Sequence, residues 1–152
     1  MSIERIFICP PGGISMIEKE SVRVVAGAGI EGDRYFDVHD EPGQNVTFVE
    51  AEAIEAFSLE HHQPLELSVT GRNIVTRGVR LNEYVGREFI VGSVRFRGVK
   101  LCEPCLNLGK ALATPKLPPA GVVKHWVHRG GLRADALSSG ELSVGAGLKG
   151  AC

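Results

Sequence analysis

Val94-Arg95-Phe96-Arg97-Gly98-Val99-Lys100-Leu101 runs straight into Cys102-Glu103-Pro104-Cys105-Leu106-Asn107-Leu108. In the first part Val94, Phe96, Val99 and Leu101 alternate with Arg95, Arg97 or Gly98, and Lys100, the period-two signature of a half-buried β-strand. Pro104 has a fixed φ and no N–H to donate, so strand pairing is expected to end before it. Leu106 to Ala113 then reads as a short helix. Upstream, Glu88-Phe89-Ile90-Val91 is the partner strand, joined through the two-residue connection Gly92-Ser93. The stretch therefore delivers Cys102 and Cys105 to the end of a hairpin.

Working outward, Ile3 to Cys9 is a short apolar strand stopped by Pro10-Pro11-Gly12-Gly13, and Val22 to Ala26 is another. Gly27-Ala28-Gly29-Ile30-Glu31-Gly32-Asp33-Arg34-Tyr35 follows. It lacks the Gly-Lys-Ser/Thr ending of a P-loop and no helical pattern follows it, so it is either a tight connection or a ligand-contacting loop. Tyr35 to Gly43 is a polar surface segment, and Asn45 to Val49 a strand. Glu50 to Glu60 is an amphipathic helix, with His61-His62 as a cationic cap at its end. Ile74 to Thr76 is a strand and Leu81 to Gly86 a turn or helical segment. Thr114 to Ala120 is expected to loop, and Gly121 to Val127 to form a short helix. His128-Arg129-Gly130-Gly131-Leu132-Arg133 is a basic turn. Ala134 to Leu137 and Glu141 to Val144 are expected to make a closing hairpin about Ser138-Ser139-Gly140.

Composition narrows the classes. A chain of 152 residues suggests one domain, 1–152, large enough for a real core. Charged residues make up 23% and the formal net charge is -1, which argues against a nucleic-acid binder or a polybasic membrane binder. No apolar run reaches transmembrane length and no signal-peptide pattern opens the chain, so a cytoplasmic protein is expected. Four cysteines (Cys9, Cys102, Cys105, Cys152) are too few for a disulfide scaffold at this size. With 19 Gly and 8 Pro, the chain has the many turns of a strand-rich fold.

Cys102-Glu103-Pro104-Cys105 admits several chemistries. It is half of a structural zinc site, with His125 and His128 as further ligands at a spacing shorter than usual. Strand, Cys-x-Pro-Cys and helix is also the local layout of a dithiol oxidoreductase, although the surroundings lack alternating βαβ units. A third reading is a single reactive cysteine that carries sulfur or binds a metal cofactor. Two buried thiols acting as small hydrophobes is the plain alternative. Position favours Cys105 as the reactive thiol, because it opens the expected helix, where unpaired N–H groups and the dipole favour a thiolate.

Gly29-Ile30-Glu31-Gly32-Asp33-Arg34, Gly71-Arg72-Asn73-Ile74, Val85-Gly86 and Glu103-Pro104-Cys105 resemble, in this order, the MOSC domain, the C-terminal domain of molybdenum-cofactor sulfurases and its stand-alone bacterial relatives. Arg129-Gly130-Gly131-Leu132-Arg133-Ala134-Asp135 and Gly140-Glu141-Leu142-Ser143-Val144-Gly145 continue the match, which runs from Met1 to about Leu148. Where the family usually ends its last hairpin with Gly-Asp, this chain has Gly145-Ala146.

The resemblance implies a mostly β, barrel-like fold with two or three short peripheral helices. It implies the molybdenum cofactor (molybdopterin) as ligand, with pyridoxal phosphate by association only. Cys105 is the cysteine that matches. It would act as sulfur carrier or catalytic thiolate, and as molybdenum ligand if the cofactor is bound, with Cys102 outside the pattern. Partners would be a sulfur-donor desulfurase or, for the members that reduce N-hydroxylated compounds, an electron-transfer protein. Under this resemblance Arg34, Arg72, Arg129 and Arg133 offer forks for phosphate and carbonyl oxygens. Asn73 can both donate to and accept from a pterin edge, and Asp33 would orient Arg34. Zinc remains the alternative metal, in a binding domain without catalysis.

Overall fold

The computed structural model describes residues 1–104 and 106–150. Its strands are β1 (Ser2–Ile8), β2 (Ile17–Lys19), β3 (Ser21–Val25), β4 (Gly29–Ile30), β5 (Val46–Glu50), β6 (Ile74–Arg77), β7 (Glu88–Val91), β8 (Val94–Leu101), β9 (Leu132–Ala136), β10 (Gly140–Ser143) and β11 (Leu148–Gly150). The helices are α1 (Ala51–Glu60), α2 (Leu106–Leu112) and α3 (Pro119–Trp126), with a 3-10 turn at Leu81–Tyr84. The architecture is mostly β, as expected, with three short helices outside the sheet.

Eight strands form one sheet in the order β11-β7-β8-β9-β5-β6-β1-β2, and β10-β3-β4 form a second. The large sheet curls back on itself. The start of β1 bonds the segment leading into β11, with Ile3 N donating to Ala146 O at 2.9 Å and Gly145 N to Ile3 O at 2.9 Å. The result is a half-barrel in which these bonds tie the β11 end to β1, while the other edge is the exposed, three-residue strand β2. The pairing of β5 with β6, spanned by α1, is the one parallel pairing among the described strands.

Two cores share this sheet. Inside it, the ring of Phe48 meets those of Phe89 and Phe96 edge-on at centroid distances of 5.4 and 5.3 Å. Outside it, Phe57 on α1 and Trp126 on α3 pack against Phe7, Val49 and Val75. β5 divides the two. Val46 and Phe48 point into the barrel while Val49 faces the helices, so this strand is buried on both sides.

The hairpin of β7 and β8 has the expected register, Val91 opposite Val94 across Gly92-Ser93. The alternation in β8 slips by one residue, and its physical cause is visible. Val94, Phe96 and Gly98 face the core, and the pairing with β9 then shifts between Gly98 and Lys100. A bulge lies there, and it returns the following residues to the opposite phase. Gly98 is required because a Cβ at that position would collide with the Tyr84 carbonyl oxygen.

Two expectations need correcting. The closing hairpin does not form. β9 lies between β8 and β5, whereas β10 crosses to pair with β3, because both of its buried partners, Val22 and Val24, lie in the second sheet. The glycine-rich stretch after β3 is a tight connection, turning at once into β4, two residues paired to Val24 and Val25. Finally, α3 begins at Pro119, inside the segment expected to loop, since a proline is well suited to a helix's first turn, where its missing N–H has no intrahelical partner.

Candidate functional site

A cavity of about 490 Å³ opens where the end of β8 meets β9, β5 and the loops after β4 and before β6. Its lining includes Arg34, Arg72, Lys100 and Arg133 as cations, Glu41 and Glu103 as carboxylates, and Tyr35, Gln44, Thr47 and Cys102. The volume is that of an ordinary small-molecule site.

Backbone carbonyls fix each guanidinium. Arg34 donates through Nη2 to Gly71 O at 3.0 Å, and its Nη1 lies 3.6 Å from Asp33 Oδ1. Its guanidinium also lies over the Tyr35 ring, 4.5 Å from the centroid. Arg72 Nε donates to Gly130 O at 3.0 Å, and Arg133 Nε to Gly43 O at 3.2 Å. The Gly130-Gly131 pair makes this geometry possible. Gly131 sits at φ 107° with its Cα against the Phe48 carbonyl, and its own carbonyl accepts the Cys102 N–H at 2.8 Å. A side chain there would drive β9 away from β5. One turn thus holds Arg72 and Cys102 at the same cavity wall.

Asp33 and Asn73 lie beneath the cavity, both buried and both hydrogen-bonded. Asp33 Oδ1 accepts from Cys9 N at 2.9 Å and Asn73 Nδ2 at 3.2 Å, and its Oδ2 accepts from Tyr35 N at 3.2 Å. Asn73 Oδ1 accepts from Thr47 N and Thr47 Oγ1, both at 3.1 Å, and Nδ2 also donates to Phe7 O at 3.2 Å. These two residues hold the floor and aim Arg34.

The structure therefore brings Arg34, Arg72 and Arg133 together over Asp33 and Asn73. Arg129 goes elsewhere. It is exposed, and its Nη1 lies 3.2 Å from His125 Nε2 on the outer face of α3. Cys105, the expected reactive residue, lies outside the described residues. Cys102, expected only as a bystander, is 4% exposed and lines the cavity. Burial pushes its thiol above the ordinary range, against the pull of Arg72, Arg133 and Lys100, so it is a neutral thiol at pH 7. The proposed zinc quartet does not assemble among the described residues, because His128 faces Glu103 at 3.9 Å whereas His125 lies beside Glu60.

Lys100 and Glu41 were not singled out from sequence. Lys100 is a strand residue on a polar face, indistinguishable by pattern from Arg95 or Arg97. Glu41 comes from the polar 36–44 segment and bridges two cations, accepting from Arg133 Nη2 at 2.8 Å and Lys100 Nζ at 3.4 Å. The hydrogen bond and charge of Arg133, then those of Lys100, hold the Glu41 carboxyl below its usual range. None of the described helices is long and apolar enough to cross a membrane.

The strand order, the short helices and the basic mouth define a class of β-rich domain that is recognisable among known proteins. The MOSC domain family matches residues 36–149, so the chain belongs to that family. Three solved structures share the fold. YuaD from Bacillus subtilis superposes with a TM-score of 0.83 at 18% identity, over 97% of this chain and 93% of that one. YiiM from Geobacillus stearothermophilus gives 0.71 at 17% identity, over 99% and 75% of the respective chains. YiiM from Escherichia coli gives 0.70 at 16% identity, over 100% and 70%. No curated protein matches the sequence.

Proposed function

We propose that the cavity binds the molybdenum cofactor or a related phosphorylated pterin, and that the Cys105 thiolate, three residues along the chain from Cys102 at the cavity wall, carries sulfur. The observation that carries this reading is the convergence of Arg34, Arg72, Lys100 and Arg133 on one cavity, where the cations outnumber Glu41 and Glu103. The donor set fits the group. Guanidinium forks match phosphate and carbonyl oxygens, the Tyr35 ring beside Arg34 offers an aromatic face, and the volume suits a small heterocycle. A bound cofactor supplies a molybdenum centre with an affinity for soft sulfur ligands. The chain's own residues bind and orient. Arg72 and Arg133 take the anionic end, Asp33 keeps Arg34 in place, and the buried Cys102 thiol stays protonated beside them.

The test is co-expression in a host that makes molybdenum cofactor, followed by pterin fluorescence and molybdenum assay of the purified protein. Wild type should carry pterin, and Arg72→Ala should lose it while keeping its circular dichroism spectrum. Wild-type protein free of pterin under these conditions, or Arg72→Ala protein that retains it, overturns the reading.

A further inference from the structure

On the face of the outer core away from the cavity, Glu60, His61 and His125 each present one donor atom, and these atoms lie within 4.8 Å of one another. Glu60 and His61 close α1, and His125 comes from the last turn of α3. The two imidazoles meet edge-on, 5.3 Å between centroids, and both rest on Phe57 at 4.6 and 4.9 Å. The histidine read from sequence as a charge cap is therefore packed into an aromatic cluster. His61 Nε2 is buried with no hydrogen-bond partner among the described residues. A buried, unpaired ring nitrogen in a folded protein calls for a partner such as an ion or an ordered water.

We propose that Glu60, His61 and His125 form a site for a divalent transition ion of the zinc class that ties the end of α1 to α3. Two imidazoles and one carboxylate are a donor set that suits zinc, cobalt and nickel and not magnesium or calcium. His125 Nδ1 lies 3.3 Å from Glu60 Oε2. That is beyond the common range for an N–H···O bond, but it is the edge, about 3.3 Å, of a tetrahedron whose centre is about 2.0–2.1 Å from each ligand. The third donor, His61, lies within 4.8 Å of the other two and has at most about 1.5 Å to close to reach the same edge, a shift shared between rotation of the imidazoles and of the 61% exposed Glu60 side chain.

The protons can be followed. The Arg129 guanidinium is a donor only, so the nitrogen it contacts, His125 Nε2, accepts, and the ring's proton sits on Nδ1 toward Glu60. Coordination through Nδ1 moves that proton to Nε2, and Arg129, which is exposed, swings away with no net proton released. Arg129 and Lys124 line the same depression and oppose a cation there, so the site is tuned weaker than its donors alone would make it.

The experiment titrates the full chain with zinc against a chromophoric chelator, and with cobalt by absorbance. One zinc per chain should bind to wild type and equally to Cys102→Ser and Cys105→Ser. Glu60→Gln and His61→Gln should each weaken it by at least about tenfold, the low end of what even an outer-sphere partner is worth. Arg129→Gln should tighten it. The cobalt spectrum should show d–d bands without the near-ultraviolet charge-transfer band of a thiolate ligand. A thiolate band, or zinc affinity unchanged in Glu60→Gln, overturns the proposal. Glu60 is exposed, so that variant separates loss of a ligand from loss of the fold. The outcome is independent of the pterin reading, because neither cavity arginine nor cofactor enters the assay.

Discussion

Replacing Asn73 with Ala tests the idea that the floor of the cavity is scaffold and not ligand contact. The carboxamide makes four hydrogen bonds, to Thr47 N, Thr47 Oγ1, Phe7 O and Asp33 Oδ1, at a position 0% exposed. At about 1 kcal/mol of net stability for each, the loss is about 4 kcal/mol, and the orphaned Thr47 N–H keeps it from being smaller. For a chain of this size each kcal/mol is worth about 2–4 °C, so the thermal midpoint should fall by roughly 10 °C. Urea unfolding followed by tryptophan fluorescence of Trp126, with circular dichroism in parallel, measures it. Asn73→Asp is the companion variant. It keeps the shape but sets a second carboxylate against Asp33, so it should destabilise most at neutral pH and recover as the solution is acidified through the carboxylate range. A variant that keeps wild-type stability and loses only pterin binding would refute the scaffold argument and restore Asn73 as a direct contact.

Glu41→Gln removes the carboxylate that occupies Arg133 and Lys100, and it should raise the affinity of the cavity for an anionic probe such as inorganic phosphate or a phosphorylated pterin, measured by calorimetry; unchanged affinity would mean the ion pairs do not compete with ligand. Burial raises the Glu50 pKa above its ordinary 4.5 despite the hydrogen bond from Leu81 N, so the native state holds the proton more tightly than the unfolded chain; this contribution to stability is full below the ordinary value and is lost as pH rises through the raised one, and Glu50→Gln should therefore flatten the fall in stability across that window, as read by denaturant midpoints against pH. Alkylation against pH should leave fast labelling in Cys102→Ser and abolish it in Cys105→Ser, because burial keeps Cys102 protonated; equal loss in both would favour a coupled dithiol.

The sheet was legible because its strands obey local rules. β1, β3, β5 and β8 each carry an apolar run or alternation bounded by Gly or Pro, and the β7–β8 turn is a two-residue connection. What failed was pairing over distance. Nothing local in Gly140–Ser143 says that its partner is Val22–Val24 and not the strand just before it, and the choice is made by which sheet needs Leu142 in its core. The site divided in the same way. Arg34, Arg72 and Arg133 stood out because glycines lie near them in sequence, but the carbonyls that the guanidiniums grip come from glycines distant in the chain, Gly71 for Arg34, Gly130 for Arg72 and Gly43 for Arg133. Arg129 has the same flanks and fails as a cavity residue, because the chain reverses at Gly130-Gly131 and leaves its side chain on the α3 side. The His61–His125 encounter was invisible, since it depends on how α1 and α3 pack over Phe57.

The cavity cations are not equivalent, and under the proposed reading their differences say how an anion would enter. Arg34 uses one terminal nitrogen on Gly71 O, while its other lies 3.5 Å from Met16 Sδ and near Asp33, so most of its hydrogen-bonding capacity is committed to the protein. Arg133 gives Nε to Gly43 O and a terminal nitrogen to Glu41, which any ligand must displace. Arg72 is tethered through Nε alone, and among the described residues its two terminal nitrogens have no partner. It is anchored, half-buried and directed by a turn that also fixes Cys102. A fork held this way loses little freedom on binding, which is the condition for a strong bidentate contact. If the cavity binds a phosphorylated ligand as proposed, Arg72 is therefore the residue on which its phosphate would settle first. In the same reading Arg133 and Lys100 join only as Glu41 leaves, while Gly43 stays in place through its bonds to Arg133 Nε and Asp135 Oδ1.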